Sequence, residues 1–592
     1  MPLRIAVVLK DRCQPKKCQT ECVKFCPRVR SGEKTVVIGD KGKPTISEEL
    51  CVGCGICVHK CPFEAVKIIG LPSELKEDLV HQYGENAFRL FRLPTPKAGE
   101  TVGLLGPNGI GKTTVLGILS GQLVPNLGDF QHKPDWGASI EKFSGTELHD
   151  YLLSVAKGNV VASLKPQYVD KLPAVHKGKV RELLAKVDVS GRMDEMAGKL
   201  DLVPVLGQNL SDLSGGELQR VAVAATMLKP ADVYFFDEPS SYLDIHQRLK
   251  VARIIRSLAA EKRVVVVEHD LAALVFLADT VYLMYGSEGA YGVVGQPRSV
   301  RNGINTYLDG YMREENIRFR DRPIRFETKA PRDDWKGALA LEFPALYKRF
   351  ARFNLHTEPG SVRQGEVVGV VGPNATGKTT FVKMLAGELD PTRGTIRIKA
   401  KVSYKPQYIK MDFTGTVGDL LLSELGGMVD DLFFKAEVER PLNLRNLWEK
   451  QVQELSGGEL QRVAIALALG RKDADLYLVD EPSAYLDSNQ RIEAANAIRR
   501  VMEKSGKAAF IVDHDIYFLD LVSDSIMVFE GTPSVEGRGA GPFNMRDGMN
   551  RFLKSVGITF RRDADTKRPR INKLDSRLDK EQKVKGEYYY SE

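Results

Sequence analysis

Long apolar runs are missing from this 592-residue chain. A membrane-spanning helix needs about 20 consecutive apolar residues, whereas the most apolar stretch, from Leu271 to Tyr285, is shorter and contains Asp279. The N-terminus also lacks a charged segment followed by an apolar one, which is the pattern of a secretory leader. The sequence therefore predicts a soluble protein of the cytoplasm that makes no contact with a membrane.

A large net charge is missing too, because the chain carries only +8 at pH 7. That charge is unevenly distributed: residues 1–70, 297–349 and 535–592 carry +6, +4 and +5, so the remainder is negative. Scattered basic loops are usually solvated surface. Basic residues concentrated in connectors and termini instead favour a polyanionic partner.

Cysteine is absent after residue 61, and all eight cysteines form two groups before that point. The second group, Cys-x2-Cys-x2-Cys-x3-Cys-Pro from Cys51 to Pro62, has the bacterial ferredoxin spacing. The first, from Cys13 to Pro27, is a looser version that also ends in Cys-Pro. Zinc sites favour separate Cys-x2-Cys pairs, and disulfides are rare in a reducing cytosol. The pattern therefore indicates iron–sulfur clusters.

In paired cysteine runs of this kind, three neighbouring thiolates bind one cluster and the distant fourth binds the other cluster. The sequence thus predicts two [4Fe–4S] clusters. One would be bound by Cys13, Cys18, Cys22 and Cys61, and the other by Cys51, Cys54, Cys57 and Cys26.

A glycine-rich loop occurs twice, each time after a short apolar strand and before an apolar helical segment. In this context the loop amides and the helix N-terminus bind phosphates, the lysine contacts the terminal phosphates, and the following threonine binds Mg²⁺. The predicted ATP-binding residues are Gly106, Asn108, Gly109, Gly111, Lys112, Thr113 and Thr114 in the first copy, and Gly372, Asn374, Gly377, Lys378, Thr379 and Thr380 in the second.

Four further motifs repeat in the same order after each loop. The first is Lys-Pro-Gln-Tyr, which contains Gln167 and Gln407, and the second is Leu-Ser-Gly-Gly-Glu-Leu-Gln-Arg at 213–220 and 455–462. The third is an apolar strand that ends in an acidic pair, Asp237-Glu238 or Asp480-Glu481. The fourth is a later strand that leads to a histidine, His269 or His514. A carboxylate that ends an apolar strand is suited to hold Mg²⁺ through water. The adjacent glutamate can orient or deprotonate the attacking water.

This ordered motif set resembles the ABC ATPase superfamily over about two-thirds of the chain. In that family the Leu-Ser-Gly-Gly-Glu element contacts ATP bound on the opposite cassette. The resemblance implies catalytic roles for Glu238, Glu481, His269 and His514, and signature contacts to ATP from Ser214, Gly216, Ser456 and Gly458. It also implies Mg²⁺ sites formed by Thr113, Gln167 and Asp237, and by Thr379, Gln407 and Asp480.

Adenine usually stacks on an aromatic side chain upstream of the phosphate loop. Tyr83 and Phe88 are the candidates in the first copy, and Phe350 and Phe353 are those in the second. Ordinary core packing is the alternative interpretation for each of these aromatic residues.

The two copies differ by an insertion of 26 residues between Lys112 and Gln167. Its Ser144-Gly-Thr-Glu147 segment predicts a capping box, followed by a helix with apolar residues at Leu148, Tyr151, Leu152 and Val155. A second repeat, Arg-x-Gly-x-Asn-x2-Leu, starts at Arg301 and at Arg546. These basic repeats indicate paired hinges, with charged linkers as the alternative.

The predicted fold class is α/β, with two ABC-type P-loop nucleotide-binding domains preceded by a ferredoxin-like α+β iron–sulfur domain. The predicted boundaries are 1–70 for the cluster domain, 71–291 for the first nucleotide-binding domain with its helical insertion near 136–160, 292–340 for hinge 1, 341–533 for the second nucleotide-binding domain, and 534–592 for hinge 2 with a charged C-terminal tail.

The full architecture resembles one family, the ribosome-recycling ABC ATPases or RNase L inhibitor family of ABC subfamily E. That resemblance implies a mechanochemical ATPase that converts ATP and water to ADP and phosphate and splits ribosomes after termination or stalling. It implies ATP, Mg²⁺ and two [4Fe–4S] clusters as cofactors. The implied partners are the small ribosomal subunit and its RNA, a release-factor-like protein such as Pelota, and initiation factors, bound by a monomer. The alternatives are an ATP-coupled iron–sulfur redox protein and a transporter-type ABC ATPase.

Overall fold

The computed structural model describes residues 3–39, 42–71, 73–320, 323–326, 337–394, 401–407, 413–564, 566–573 and 575–589. The N-terminal unit is small, with two antiparallel strand pairs and three short helices around the cysteines. The pairs are Leu3–Val8 with Val66–Leu71 and Val36–Ile38 with Pro44–Ile46, and the helices are Glu21–Lys24, Pro27–Arg30 and Ile56–Lys60.

Two eight-stranded sheets follow, and their strands have the same spatial order. The first sheet runs Leu79–Gln82, Arg89–Phe91, Tyr291–Ser299, Thr280–Ser287, Thr101–Leu105, Arg263–Val267, Val233–Asp237 and Ala162–Lys165. The second runs Leu346–Arg349, Asn354–Thr357, Glu536–Asn544, Ser525–Thr532, Val367–Val371, Ala508–Val512, Leu476–Asp480 and Val402–Lys405. The repeated motifs therefore predicted a real structural duplication, and the predicted fold class is confirmed.

Helices cover the parallel strands of both sheets. Those of the first unit are Lys112–Leu119, Trp136–Glu141, Glu147–Ala156, Leu172–Val175, Val180–Val187, Met193–Lys199, Gly215–Leu228, Ile245–Leu258 and Leu271–Leu277. Those of the second are Lys378–Leu385, Val417–Leu425, Leu432–Phe434, Gly457–Gly470, Ser488–Ser505 and Ile516–Val522. No helix among the described residues is both long and apolar enough to cross a membrane.

The strand order explains why the repeated motifs of each copy meet. The strand before the phosphate loop, the strand ending in Asp237 and the strand leading to His269 are parallel neighbours, and the last of these lies between the other two. Loops that follow the carboxyl ends of parallel strands meet at one edge of a sheet. The phosphate loop, the acidic pair and the histidine therefore lie at that edge in both copies.

The insertion forms two helices, Trp136–Glu141 and Glu147–Ala156, where the apolar spacing predicted only the second, and the start of that second helix differs from the prediction. Leu148, Tyr151 and Leu152 are buried. The predicted capping box at Ser144 is wrong: Thr146 is the N-cap, its side chain accepts from the His149 amide, and the helix begins at Glu147. Gly145, with φ +80°, lies in a turn before the helix, so Ser144 lies outside it.

Both sheets include a strand that extends beyond the predicted domain ends at 291 and 533. These strands are Tyr291–Ser299 in the first sheet and Glu536–Asn544 in the second. Each strand leads into a repeat helix, Val300–Asp309 or Met545–Val556. Part of the predicted hinge 1, residues 327–336, lies outside the described residues. The charged C-terminal stretch includes the helix Arg577–Lys585 and the buried Tyr589, so it packs on the domain rather than extending from it.

Contacts between the two hinge regions join the two halves of the molecule. Asn305 donates to Asp563 at 3.2 Å and accepts from the fully buried Arg568 at 3.1 Å. The hydroxyl of Tyr307 also donates to Asn489 of the second unit at 2.9 Å. These partly buried polar contacts fix the first repeat helix, Val300–Asp309, against the second half.

Candidate functional site

The eight cysteines are free thiols that line two cavities in the N-terminal unit. One cavity of about 350 Å³ is lined by Cys26, Cys51, Cys54 and Cys57, and the other of about 370 Å³ by Cys13, Cys18, Cys22 and Cys61. These are the two quartets that the spacing predicted. Four cysteine thiols around each cavity match the ligand set of a [4Fe–4S] cluster.

Burial changes the pKa of two cysteine thiols in this unit. It raises the pKa of Cys22 and of Cys57 to about 11. Cluster ligands are thiolates, so these thiols must lose protons when iron binds. The apolar core of the unit has eight buried residues, and three of them are cysteines: Ala6, Val8, Cys22, Cys26, Val36, Ile46, Cys57 and Val66. A core this small depends on the cysteine sites for its stability.

The lysine side chain of each glycine-rich loop folds back and contacts the loop backbone. Lys112 is buried and its ammonium donates to the carbonyl oxygens of Gly106 and Pro107 at 2.8 and 2.7 Å. Lys378 repeats both contacts in the second loop at 2.9 and 2.7 Å. Each lysine begins an eight-residue helix, so loop amides and helix N-terminus face the same space. This arrangement suits a bound polyphosphate.

The glutamate after each strand-ending aspartate has a left-handed backbone. Glu238 has φ +49° and Glu481 has φ +48°. Its carboxylate accepts from the glutamine of the Lys-Pro-Gln-Tyr motif, at 2.6 Å from Gln167 and at 2.7 Å from Gln407. The amide N–H of each glutamine therefore points to the glutamate, which leaves the glutamine carbonyl available to a metal ion.

The two histidines lie beside these glutamates, with Nε2 of His269 3.6 Å from Glu238 and Nε2 of His514 3.5 Å from Glu481. Burial and the positive charges of Lys112 and Arg491 lower the pKa of His269 well below its usual value, so this imidazole is neutral at pH 7. Burial opposes ionisation of Glu481. The hydrogen bond and charge of His514 nevertheless hold the pKa of Glu481 at about 2.

The strand-ending aspartates have raised pKa values, in contrast to Glu481. Burial and the neighbouring Glu238 raise the pKa of Asp237 to about 6, and burial and Glu481 raise the pKa of Asp480 to about 6. Both carboxylate oxygens of Asp480 are buried without a hydrogen-bond partner in the part of the chain that the structure describes. A buried carboxylate without a partner is costly. A divalent cation would offset that cost, so the residues present fit Mg²⁺.

The two halves meet through the Tyr-Leu-Asp segments that follow the acidic pairs. Asp487 accepts from the backbone amide of Asn108 at 3.0 Å, and Asp244 accepts from the amide of Asn374 at 2.9 Å. Burial opposes ionisation of Asp244, but the Asn374 and Gln247 amides hold the pKa of Asp244 below its usual value. Each phosphate loop is thus contacted by an aspartate from the other half.

The Leu-Ser-Gly-Gly-Glu signatures lie next to these crossing segments. Ser214 and Ser456 are exposed N-caps of fourteen-residue helices. The ring of Tyr485, two residues before Asp487, packs against Gly457 of its own signature. The second signature therefore lies on the side of the first phosphate loop, as the superfamily resemblance implied. Among the described residues no hydrogen bond joins a signature serine to the opposite loop lysine; the aspartates make the crossing contacts.

The predicted aromatic residues lie beside the phosphate loops. A side chain added at Gly111 would meet the Phe88 ring at 2.7 Å, and one added at Gly377 would meet the Phe353 ring at 3.1 Å. The Tyr83 ring is 54% exposed and its hydroxyl lies 3.1 Å from that of Thr114. Phe350, in the corresponding place, is 41% exposed. At each loop one aromatic ring, Phe88 or Phe353, is thus packed against the loop, and the other, Tyr83 or Phe350, is exposed to solvent.

We expect Tyr83→Ala to weaken ATP binding at the first site by about 1–3 kcal/mol, the range for a base stacked on an aromatic ring. Titration of the anaerobically purified protein with a fluorescent ATP analogue measures this change. Tyr83→Phe is the control, since it keeps the ring and removes the hydroxyl contact to Thr114, and it should bind ATP as the parent does. Equal weakening by both substitutions would show that the hydroxyl, not the ring, matters.

Protein-family models match the three parts of the chain. The ABC transporter model matches residues 95–241 and 356–484. A possible Fer4-like domain in RNase L inhibitor matches residues 3–34, and a 4Fe-4S binding domain matches residues 44–67. The chain is 47% identical over 595 residues to ABC transporter E family member 1 of Arabidopsis thaliana, with 99% of this chain and 98% of the relative covered. The chain belongs to the RNase L inhibitor family.

Solved structures agree with this membership. A model of ribosome-bound archaeal Pelota and ABCE1 has a TM-score of 0.95 and 53% identity, and the match covers 99% of each chain. A crystal structure of archaeal ribosomal stalk protein aP1 with the archaeal ribosome recycling factor aABCE1 has a TM-score of 0.83 and 53% identity, covering 88% of this chain and 100% of that one. As a member of the RNase L inhibitor family, the chain is an ABC ATPase with an iron–sulfur domain.

Sequence reasoning missed several site residues of this RNase L inhibitor family member. It assigned no role to Asp244 and Asp487, which make the contacts to the opposite phosphate loops. It also left out Lys165 and Lys405, whose ammonium groups donate to backbone carbonyls of the acidic pairs. The available signal was the repeat itself, because each of these residues recurs at the same motif position in both copies.

Proposed function

We propose that this protein is an ATP-driven ribosome recycling factor. It splits ribosomes into subunits after termination or stalling, acts with a release-factor-like protein such as Pelota, and stays on the small subunit. The observation that carries this proposal is the match over 99% of the chain, at 53% identity, to a ribosome-bound relative; a ribosome recycling factor matches 88% of the chain at the same identity. The protein would act in the cytoplasm as a monomer and would meet initiation factors on the small subunit.

Two composite ATP sites would supply the energy. In the first, Lys112 and its loop hold the phosphates, Glu238 orients or deprotonates the water, and neutral His269 supports the glutamate. Ser456 and Gly458 would complete this site from the other half.

In the second site, the corresponding residues are Lys378, Glu481 and His514, with Ser214 and Gly216 from the first half. Support comes from the matching geometry of the two halves and from the crossing contacts of Asp244 and Asp487.

Mg²⁺ would be held at these sites by the following residues: Thr113, Gln167 and Asp237 in the first, and Thr379, Gln407 and Asp480 in the second. Bound Mg²⁺ neutralises charge on the phosphates. Since the aspartates bind the ion when ionised, we expect weaker Mg²⁺ binding as the pH falls through about 6.

The cysteine quartets would hold two [4Fe–4S] clusters with a structural role. Three observations support this role: the two cavities, the small apolar core and the buried thiols. Clusters bound there would join the short helices and strands of the N-terminal unit into one rigid body. That rigid body is what the proposed mechanism needs.

The cluster domain rests on the first nucleotide-binding domain close to its ATP site. Lys67 donates to the carbonyl of Glu288 at 2.6 Å and to Ser287 at 3.2 Å. The side chain of Glu288 in turn lies against Gly109 of the phosphate loop. When ATP closes the two halves, we propose that this contact carries the cluster domain with the first half, so that it moves against the ribosome.

The basic segments at 297–349 and 535–592 would contact ribosomal RNA phosphates. Their packing around the hinge leaves exposed arginines such as Arg301, Arg325 and Arg546 at the surface, although each of them also makes an ion pair within the protein. Such contacts weaken steeply with salt.

Gradient sedimentation with ribosomal subunits tests the function directly. The anaerobically purified Glu238→Gln, Glu481→Gln double variant should bind ATP and hydrolyse it slowly. We expect it to travel with the small subunit when ATP is present and to stay at the top of the gradient without ATP. If it stays at the top in both conditions, the ribosome assignment is wrong.

A further inference from the structure

Two lysines are buried directly behind the acidic pairs. Lys165 and Lys405 end the edge strands Ala162–Lys165 and Val402–Lys405, and their exposed fractions are 0% and 1%. Lysine is rarely found fully buried unless it is paired. Here each ammonium donates to backbone carbonyls rather than to a carboxylate oxygen: Lys165 to Asp237 at 2.7 Å and Glu238 at 3.2 Å.

The second copy repeats this arrangement. Lys405 donates to the carbonyl of Asp480 at 2.7 Å, to that of Glu481 at 3.5 Å and to that of Pro406 at 3.1 Å. Both ammonium groups thus bind backbone carbonyls of an acidic pair.

One of the two carbonyls that Lys165 contacts belongs to a strained residue. Glu238 has φ +49°, a conformation that L-residues other than glycine, asparagine and aspartate rarely adopt. Such residues persist when the surrounding structure holds them, and they cluster at active sites. The backbone N–H of Glu238 donates to Val267 at 2.9 Å, and its carbonyl accepts from Gln219 at 2.6 Å as well as from Lys165.

Pairing of the edge strand does not require a lysine at this position. Lys165 is paired with Phe236 and Lys405 with Val479 through backbone atoms, which any strand residue could provide. Methionine would fill a similar volume without burying a charge. The lysine ammonium adds hydrogen bonds that methionine could not make, to the carbonyls of the strand-ending aspartate and of the glutamate that follows it.

We propose that Lys165 and Lys405 are positioning residues for ATP hydrolysis: each holds the peptide of its neighbouring glutamate, Glu238 or Glu481, in the left-handed conformation that directs the carboxylate to the attacking water. The lysines do not touch ATP. Their positive charge also lies close to the carboxylates of the site, Asp237, Glu238 and Glu268 in the first copy. This inference rests on the roles proposed above for Glu238 and Glu481.

The test measures steady-state ATP hydrolysis of the full-length, anaerobically purified Lys165→Met, Lys405→Met protein. A misplacement of about 1 Å at a reacting group can lower the rate about 100-fold. We expect kcat to fall by about 10- to 100-fold while the KM for ATP changes by less than about threefold. Added to the Glu238→Gln, Glu481→Gln background, the lysine substitutions should lower kcat no further, because they act through the glutamates.

Matched controls come from the same two strands. Ser163→Ala, Ser403→Ala removes buried hydroxyls that donate to Thr226 at 2.9 Å and Ala468 at 2.8 Å, two residues before the lysines. These variants should keep kcat within about twofold of the parent. A second double variant, Lys165→Gln, Lys405→Gln, is measured as well. A thermal melt of both double variants shows whether each is folded. Glutamine is shorter, so it should lower kcat as well.

Three results would overturn the proposal: a folded lysine variant that hydrolyses ATP at the parental rate, a loss confined to ATP affinity, or a further loss of kcat in the glutamine background. The proposed roles of Glu238 and Glu481 fail separately, if the double glutamine variant alone hydrolyses ATP at the parental rate.

Discussion

Steady-state ATP hydrolysis should fall by a factor of about 100 or more when Glu238 and Glu481 are both replaced by glutamine, since a positioned acid or base contributes about 10²- to 10⁴-fold. Glutamine keeps the shape of the side chain and the partners around it, including Gln167 at 2.6 Å and, in the second copy, Gln407 at 2.7 Å. It cannot accept a proton from water. Phosphate release from saturating ATP and Mg²⁺ measures the loss.

The matched control is Glu261→Gln, Glu536→Gln. Both of these glutamates are exposed, and the substitution makes the same change in net charge in the same two halves of the molecule. Hydrolysis by this control should equal that of the parent. ATP binding by the Glu238→Gln, Glu481→Gln variant should also remain, because neither glutamate belongs to a phosphate loop. A double variant that retains more than about half of the parental rate would contradict the assignment of the catalytic base.

Replacing Cys57 with serine should remove one of the two proposed iron–sulfur clusters and unfold much of residues 3–71. Cys57 is one of eight residues in the apolar core of this unit, and it lines the cavity with Cys26, Cys51 and Cys54. Where a small domain depends on metal sites, the free energy of metal binding is free energy of folding. Since both cysteine quartets belong to this unit, the iron content should fall from about eight atoms per chain to fewer than about four. Limited proteolysis should then remove the N-terminal unit and leave the two larger domains intact.

Val37→Ser serves as the control for this prediction. Val37 is 41% exposed on a strand of the same unit and lines neither of the cysteine cavities. It introduces serine at a surface position, so iron content and protease resistance should match those of the parent. Full iron content in the Cys57→Ser protein would show that this cysteine is not a ligand. ATP hydrolysis should persist in the cluster-depleted protein, because the ATP sites are formed by residues of the other domains.

Much of the candidate site was predictable because its chemistry is encoded in short segments. A glycine-rich loop between an apolar strand and a helix has few other uses, and the structure has Lys112 and Lys378 at the start of such helices. The two cysteine runs likewise predicted the quartets that line the two cavities. In both cases the residues that act together are close in sequence, or they recur at a spacing that itself limits the possible partners.

Local patterns were less reliable where a short segment offered two similar choices. Ser144 and Thr146 can each cap a helix, and the pattern Ser-x-x-Glu favoured Ser144. The structure instead has Thr146 as the cap, because the turn that contains Gly145 comes before the helix. The charged C-terminal stretch was similarly misleading, since its composition does not indicate that Tyr589 is buried against Arg562 and Asp520.

The sequence by itself determined the chemistry of this protein: two phosphate loops with their acidic pairs, two cysteine quartets, and a duplication that required two similar domains. Only the tertiary structure decided which residues act across the molecule. Asp487 contacts Asn108 although 379 residues separate them, and Lys165 donates to the carbonyl of Glu238, the residue after a neighbouring strand. Such contacts depend on the order of strands in each sheet and on how the two sheets face each other, and no local pattern of residues contains that information.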